Sequence, residues 1–202
     1  MIDEPSEQGG ANAVRVVAAA IDCIAAQGLR RTTVEDIAAA SGVSRATLYR
    51  SFPGGRETIL AAVVDAEIAR LLASLEAVVA GTSDLRDTLI GGISEAARFV
   101  ATDPVIEQLL FEDPAVVLTH LEFEGMDRTL ATASLLLQPY LARHMDGEAA
   151  LRAGEWATRV VLSFLLVPDD DQDLLDRAAV ERLVDDHVLP GIVALVADPV
   201  RH

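Results

Sequence analysis

Thr33-Val-Glu-Asp-Ile-Ala-Ala-Ala-Ser-Gly-Val-Ser-Arg-Ala-Thr-Leu-Tyr-Arg-Ser-Phe52 reads as two short helices around a tight turn at Ser41-Gly42-Val43. Thr33 is placed to cap the first helix, with Asp36 three residues on in a capping-box arrangement. Ile37 and Ala38 face inward, Gly42 permits the turn, and Ser44 caps the second helix. That second helix turns Leu48 and Phe52 inward and exposes Arg45, Ala46, Thr47, Tyr49 and Arg50.

Two helices joined in this way form a helix-turn-helix, whose second helix lies in the DNA major groove. Arg45 and Tyr49 are four residues apart, as are Ala46 and Arg50, so the pairs share one exposed surface. An arginine near the start of such a helix suits guanine O6 and N7, the commonest specific base contact. Thr47 offers a methyl or hydroxyl to a thymine or a phosphate. Tyr49 brings a flat apolar body with a hydroxyl for phosphate, and short Ala46 lets the backbone approach. The expected partner is double-stranded DNA.

Outward from this stretch, residues 11–27 carry Val14, Val17, Ile21 and Ile24 at the spacing of one helix face, and Gly28 supplies a left-handed stop. The acidic, polar residues 1–10 read as a disordered lead. Pro53-Gly54-Gly55 breaks the chain, and Arg56 opens a long helix to about residue 80. A three-helix head over residues 11–55 is therefore expected, followed by a larger helical body over 56–202.

Composition agrees with an all-α fold. The chain has 202 residues, 51% hydrophobic, with aromatics only 4% and 13 glycines, which disfavours a sandwich or an alternating α/β fold. Apolar runs are broken by charge short of a membrane span, the amino end is the opposite of a secretory signal, and a lone Cys23 gives no disulfide framework. The cytoplasm is the expected location. The net charge of −16 runs against DNA binding until it is mapped. Residues 11–56 hold six arginines (15, 30, 31, 45, 50, 56) against three acids (22, 35, 36), about +3 locally, whereas residues 57–202 carry −16. A mildly basic reading head on an acidic body should bind DNA weakly at random and favour specific sites.

The stretch over residues 32–53, following a helix that ends in Gln27-Gly28, resembles the tetracycline-repressor (TetR) family of bacterial regulators: capped helix, Ser-Gly-Val turn and Thr-Leu-Tyr-x-x-Phe stand together in register over about 45 residues. The resemblance implies a homodimer with an N-terminal DNA-binding domain and a helical domain that binds a small molecule and dimerises. It also implies that Thr33 touches the DNA backbone and that the residues from Arg45 to Tyr49 touch bases and phosphates. The chain departs from the family pattern in having two glycines before Arg56, which puts that residue's phosphate contact in doubt.

The body reads as helices over about 84–101 (bent at Gly91-Gly92), 105–111 between Pro104 and Pro114, 122–144 (kinked at Pro139), 148–167 and 173–196, with an acidic loop at residues 168–172. The last two helices carry more apolar surface than one pair needs internally. Leu151, Val160, Val161, Phe164 and Leu165 face Val180, Leu183, Val184, Val188, Ile192 and Leu195, which suits a four-helix dimer interface. Phe99, Leu110, Phe111, Phe123, Met126, Tyr140 and Trp156 are the bulky candidates for an effector pocket between helices, with plain core as the competing reading. His120, Glu122, Glu124 and Arg128 are candidate polar anchors, with solvated loop residues as the rival reading.

No cofactor, metal or catalytic site is expected. The acidic loop lacks the turn glycine and terminal glutamate of a calcium site, the four histidines (120, 144, 187, 202) are scattered, and neither a phosphate-binding loop nor a nucleophile elbow occurs. The sequence thus reads as a transcriptional regulator, in first place a homodimeric repressor released from a palindromic operator by a small, largely apolar effector. An activator without effector-triggered release shares the same head. A helical small-molecule-binding protein would lack salt-sensitive DNA binding, and a helical enzyme would keep its turnover when the second helix of the motif is altered.

Overall fold

A computed structural model describes residues 7–112, 123–166 and 173–197, and among these the chain is helical with no strand. Helix α1 (Glu7–Gln27) is followed by a single 3-10 turn (Leu29–Arg31), α2 (Val34–Ser41), α3 (Arg45–Ser51) and α4 (Arg56–Val79). Then come α5 (Leu85–Thr102), α6 (Pro104–Glu112), α7 (Phe123–Leu141), α8 (Gly147–Leu166), α9 (Arg177–Leu183), a π-turn (Val184–Val188) and α10 (Leu189–Ala197). The all-α expectation holds. The acidic loop at 168–172, Pro114 and His120 lie outside the described residues.

Helix α1 begins four residues before the expected start, so residues 7–10 are not a disordered lead; Glu7 and Gln8 are good helix formers, and an acid at a helix N-terminus is favoured by the dipole. Its buried face runs through Val16, Ala20 and Ile24, each fully buried, while Val14 is 69% exposed. Val16 lies two positions after Val14, about 200° around a helix, so both cannot point to the core. By length and composition the stretch Gly9–Gln27 would be able to cross a membrane, which the charge-interruption argument missed. Its apolar face is instead the core of the head, and Arg15 and Asp22 interrupt the other side.

The chain divides into two compact units at different places from the expected 55/56 boundary. The first holds α1 to α3, α4 as far as Ala69, and α6; the second holds α4 from Arg70, α5 and α7 to α10. In the first unit one apolar core joins Val16, Ala20 and Ile24 of α1, Ile37 of α2, Leu48 of α3, Ile59 and Val63 of α4, and Val105 and Leu109 of α6. Helix α6 therefore belongs with the head. Its Gln108 side chain accepts from the Leu29 N–H at 3.4 Å and its Glu112 from the Arg30 N–H at 3.0 Å, satisfying backbone donors of the 3-10 turn. Those contacts span about 80 residues of sequence and leave no local trace.

In the second unit the core is built from Leu89, Ile90 and Ile93 of α5, the small-residue face Ala150, Ala153 and Ala157 of α8, and Val180, Leu183, Val188 and Ile192 towards the C-terminus. Helix α5 runs unbroken through Gly91-Gly92, where a bend was expected. A Cβ at Gly91 would lie 3.1 Å from Val78 and one at Gly92 3.6 Å from Val79, so the pair serves close packing against the end of α4. The expected final helix runs over 177–197 with a π-turn inside it at Val184–Val188. The Leu189 N–H reaches back to the Val184 carbonyl across the wider π-turn. Right-handed helical backbone continues through Leu189 into α10, with Pro190 just after the π-turn.

Candidate nucleic-acid interface

The α2–turn–α3 unit is held by local caps together with one contact from α1. Thr33 caps α2 by accepting from the Asp36 N–H at 3.2 Å, and Asp36 accepts from the Thr33 N–H at 3.0 Å and from its hydroxyl at 2.6 Å. These bonds hold the Asp36 carboxyl below its ordinary value of 3.8. Gly42 ends α2 in the left-handed region at φ 63°, and the Arg15 guanidinium donates to the Ser41 carbonyl beside it. A Cβ at Gly42 would come within 2.9 Å of that guanidinium, which as the end of a long side chain can move aside, so it is the left-handed backbone that favours glycine here. Ser44 then caps α3, accepting from the Thr47 N–H at 3.2 Å and donating to the Thr47 hydroxyl oxygen at 3.0 Å.

Leu48 and Phe52 are buried beneath α3, as expected. Outward, Ser44, Arg45, Ala46, Tyr49 and Arg50 are exposed and Thr47 is half-buried, so the residues read as DNA-facing share one surface. The Thr47 hydroxyl accepts from Ser44 and keeps its own proton for an outside acceptor. Tyr49 stands against Gly55, which has φ 61°; a Cβ there would lie 3.0 Å from the ring. Gly55, the second of the two glycines before Arg56, thus gives Tyr49 its seat.

Three of these side chains also have partners within the chain. Thr33 commits its hydroxyl proton to Asp36, which makes it a cap first; a backbone phosphate would have to compete with that carboxylate. Arg56 donates to the Leu29 carbonyl at 2.9 Å through one guanidinium nitrogen, which ties α4 to the 3-10 turn and leaves its other donors for a phosphate. Arg45 is paired with Glu35 of α2, an interaction ten residues apart in sequence that no helical periodicity reveals. Arg15 and Arg30 are also engaged, with the Ser41 carbonyl and Glu112, while Arg31 and Arg50 are exposed. Burial pushes the Cys23 thiol up, helped by the nearby Asp36 and Asp22, which keeps it a weak nucleophile.

The model of "Bacterial regulatory proteins, tetR family" matches residues 16–63, the segment whose geometry has just been described. An HTH-type transcriptional regulator of Mycobacterium bovis, Mb2274c, is 33% identical over 158 residues, 68% of this chain and 81% of its own. The chain belongs to the tetR family. This TetR-family protein is a DNA-binding transcriptional regulator and not an enzyme. Among solved structures it shares its fold with the TetR family repressor AlkX from Dietzia sp. strain DQ12-45-1b, at 23% identity and a TM-score of 0.69, covering 91% of this chain and 96% of that one. RolR in complex with resorcinol is another, at 17% identity and a TM-score of 0.54, covering 98% of both chains.

The residues expected at a dimer interface fall into two groups. Val161, Leu183, Val184, Val188 and Ile192 are buried in the core of the second unit and have no surface left for a second copy. Their apolar area is consumed within the chain because α8, α9 and α10 pack against α5 and each other. Val160 and Phe164 lie half-buried at the edge of that core. Among the described residues, the large apolar side chains left exposed on α8 and α10 are Trp156 at 38%, Val193 at 63% and Val196 at 43%.

The expected pocket residues do not form one set either. Leu110 is half-buried on α6 in the first unit, and Phe111 is on the same helix. In the second unit Trp156 lies on the surface of α8, its indole N–H donating to the Val188 carbonyl at 3.3 Å, which removes it from an interior pocket. Tyr140 is half-buried near the end of α7, with its hydroxyl 3.4 Å from Glu76 and the Arg143 guanidinium 5.1 Å from its ring centre. Phe99 is buried beneath the Arg70 guanidinium, 5.5 Å from the ring centre. The side chains of Phe111, Phe123, Met126, Glu122, Glu124 and Arg128 lie outside the described residues. No group of three metal-ligating side chains occurs among the described residues.

Proposed function

We propose that this regulator is a homodimeric repressor that occupies a palindromic operator and leaves it when a small, largely apolar molecule binds the helical body. The observation that carries the reading is α3 itself, braced from below by Leu48 and Phe52, with Arg45, Ala46, Thr47, Tyr49 and Arg50 on its outer side. Arg45 takes a guanine, Thr47 and Tyr49 meet phosphate or thymine, and Arg50 adds a phosphate contact. Ser44 and Thr33 hold the two helix starts, and Arg56 braces α4. Acting on bacterial DNA, the protein works in the cytoplasm.

A single helix-turn-helix grips DNA weakly, and a two-fold dimer matches half-sites about one helical turn apart (~34–36 Å). Trp156, Val160 and Phe164 follow one another at intervals of four residues on α8, and Val193 and Val196 stand exposed on α10. That face supports the dimer assignment; the five buried residues do not. For the effector, the support is that RolR holds resorcinol and that AlkX is described as a repressor implicated in biodegradation of n-alkanes. Helix α4 is continuous and has residues in both units, which gives an effector in the second unit a covalent path to the head.

Purified protein is used to select fragments of bacterial genomic DNA, and the enriched sites are read for two-fold symmetry. Replacing Arg45 and Tyr49 together by Ala should abolish operator binding while sedimentation still reports a dimer; unchanged DNA affinity overturns the interface. Apolar compounds that raise the melting temperature should also release the operator.

A further inference from the structure

Two acids occupy the first turn of α2, and they are used differently. Asp36 is consumed by the cap, accepting from the Thr33 N–H, the Thr33 hydroxyl and, at 3.4 Å, the Gln27 amide. Glu35 takes no part in the cap. It is exposed, and it pairs with Arg45, the residue at the start of the reading helix. The side chains remain 55% and 62% exposed, so the pair stands at the rim of the surface that faces DNA. A carboxylate on that rim is electrostatically unfavourable beside phosphates, and residues 11–56, which carry the motif, have a net charge of only about +3.

Resting on the DNA-binding reading of α3, we infer that Glu35 is a specificity-determining residue: with Arg45 it forms a single donor–acceptor unit that reads a G·C pair. The chemistry is complementary. Arginine carries five N–H donors in a planar fork, enough to keep Glu35 and still donate two to guanine O6 and N7. The carboxylate accepts only, and the group next to guanine O6 in the major groove is the cytosine N4 amino group, a donor. Glu35 accepts from that cytosine or from one in the adjoining pair. Off the operator the same carboxylate does two further things. It neutralises Arg45, so the reading arginine adds little to random attraction for phosphate. It also repels a phosphate that would otherwise capture Arg45 out of register. Because the pair is exposed it is weakly held, and turning it towards the bases costs little. Glu35 thus lowers random affinity and raises discrimination, the balance that a small, sparsely basic head needs.

The full-length protein is compared with Glu35→Ala, Glu35→Gln and Arg45→Ala on randomised duplexes and on an unrelated duplex, at a series of salt concentrations. The wild type should choose G·C at one position of each half-site by roughly tenfold or more. Glu35→Ala should lose most of that preference while binding the unrelated duplex more tightly. Its salt dependence should steepen by about 0.9 per subunit as Arg45 turns to a phosphate. Glu35→Gln, which retains an acceptor oxygen without the charge, should bind unrelated DNA more tightly and keep part of the preference. Arg45→Ala should lose the G·C preference without the gain in random affinity. A misfolded variant would lose both kinds of binding, so the expected gain cannot come from damage. If the wild type selects sites and Glu35→Ala selects the same bases with the same salt slope, the inference about Glu35 is overturned and the interface stands. If the wild type selects nothing, the reading of α3 falls and takes this inference with it.

Discussion

At the scale of the residue, the head is organised by a few polar side chains that each satisfy a helix end. Thr33 and Asp36 form a reciprocal cap, and replacing Thr33 by Ala should cost about 1 kcal/mol in urea unfolding, with the DNA-facing side chains of α3 untouched. The cap has a pH signature. Asp36 titrates below 3.8 in the folded chain, so its contribution is complete above that value and is lost as pH falls through the lower folded value. The stability difference between wild type and Asp36→Asn should therefore be constant near neutrality and shrink below about pH 4. Equal differences at pH 7 and pH 3 would contradict the cap. Gly55 is a second such residue, because its left-handed backbone and its contact with Tyr49 both exclude a side chain. Gly55→Ala should cost about 1–2 kcal/mol and displace Tyr49, weakening operator binding beyond the loss of stability. A titration of operator at a temperature where both proteins are folded separates the two effects.

At the scale of the element, α7 and α8 lie close enough that a Cβ on Gly154 would sit 3.1 Å from the Ser134 Cα. The obstacle is backbone, which cannot swing aside as a side chain does. Gly154→Val should therefore destabilise the second unit by roughly 1–3 kcal/mol, read by urea unfolding followed through the lone Trp156. Helix α6 illustrates the opposite dependence. Its nine residues are a plausible short helix from Pro104 onward, yet their allegiance to the head comes from Val105, Leu109, Gln108 and Glu112 meeting α1 and the 3-10 turn. No feature of residues 104–112 by themselves announces that.

At the scale of the whole molecule, the exposed face of α8 and α10 is the part expected to bind a second copy. Trp156 reports on it directly, since the chain has one tryptophan and it is 38% exposed in the single chain. On dilution its emission should shift red as the sedimentation coefficient falls. Val193→Glu should produce a monomer with an intact melting transition and greatly weakened operator binding, because only one half-site is then held. A Val193→Glu protein that sediments as the wild type would move the interface elsewhere.

The sequence alone determined what short-range physics can encode. The Thr33 and Ser44 caps, the glycine turn and the inward Leu48 and Phe52 each depend on partners or periodicity within one or two helical turns, and from them the reading head followed with its outward Arg45, Thr47, Tyr49 and Arg50. Tertiary structure decided everything that depends on which apolar surface meets which. A helix face such as Val184, Val188 and Ile192 looks the same in sequence whether its partner is another helix of the chain or a second subunit, since burial is non-directional. Long arginine side chains add a second ambiguity, because their reach lets the folded chain reassign them. Arg56 is drawn to Leu29 and Arg45 to Glu35 by contacts that exist only after the backbone has brought distant residues together.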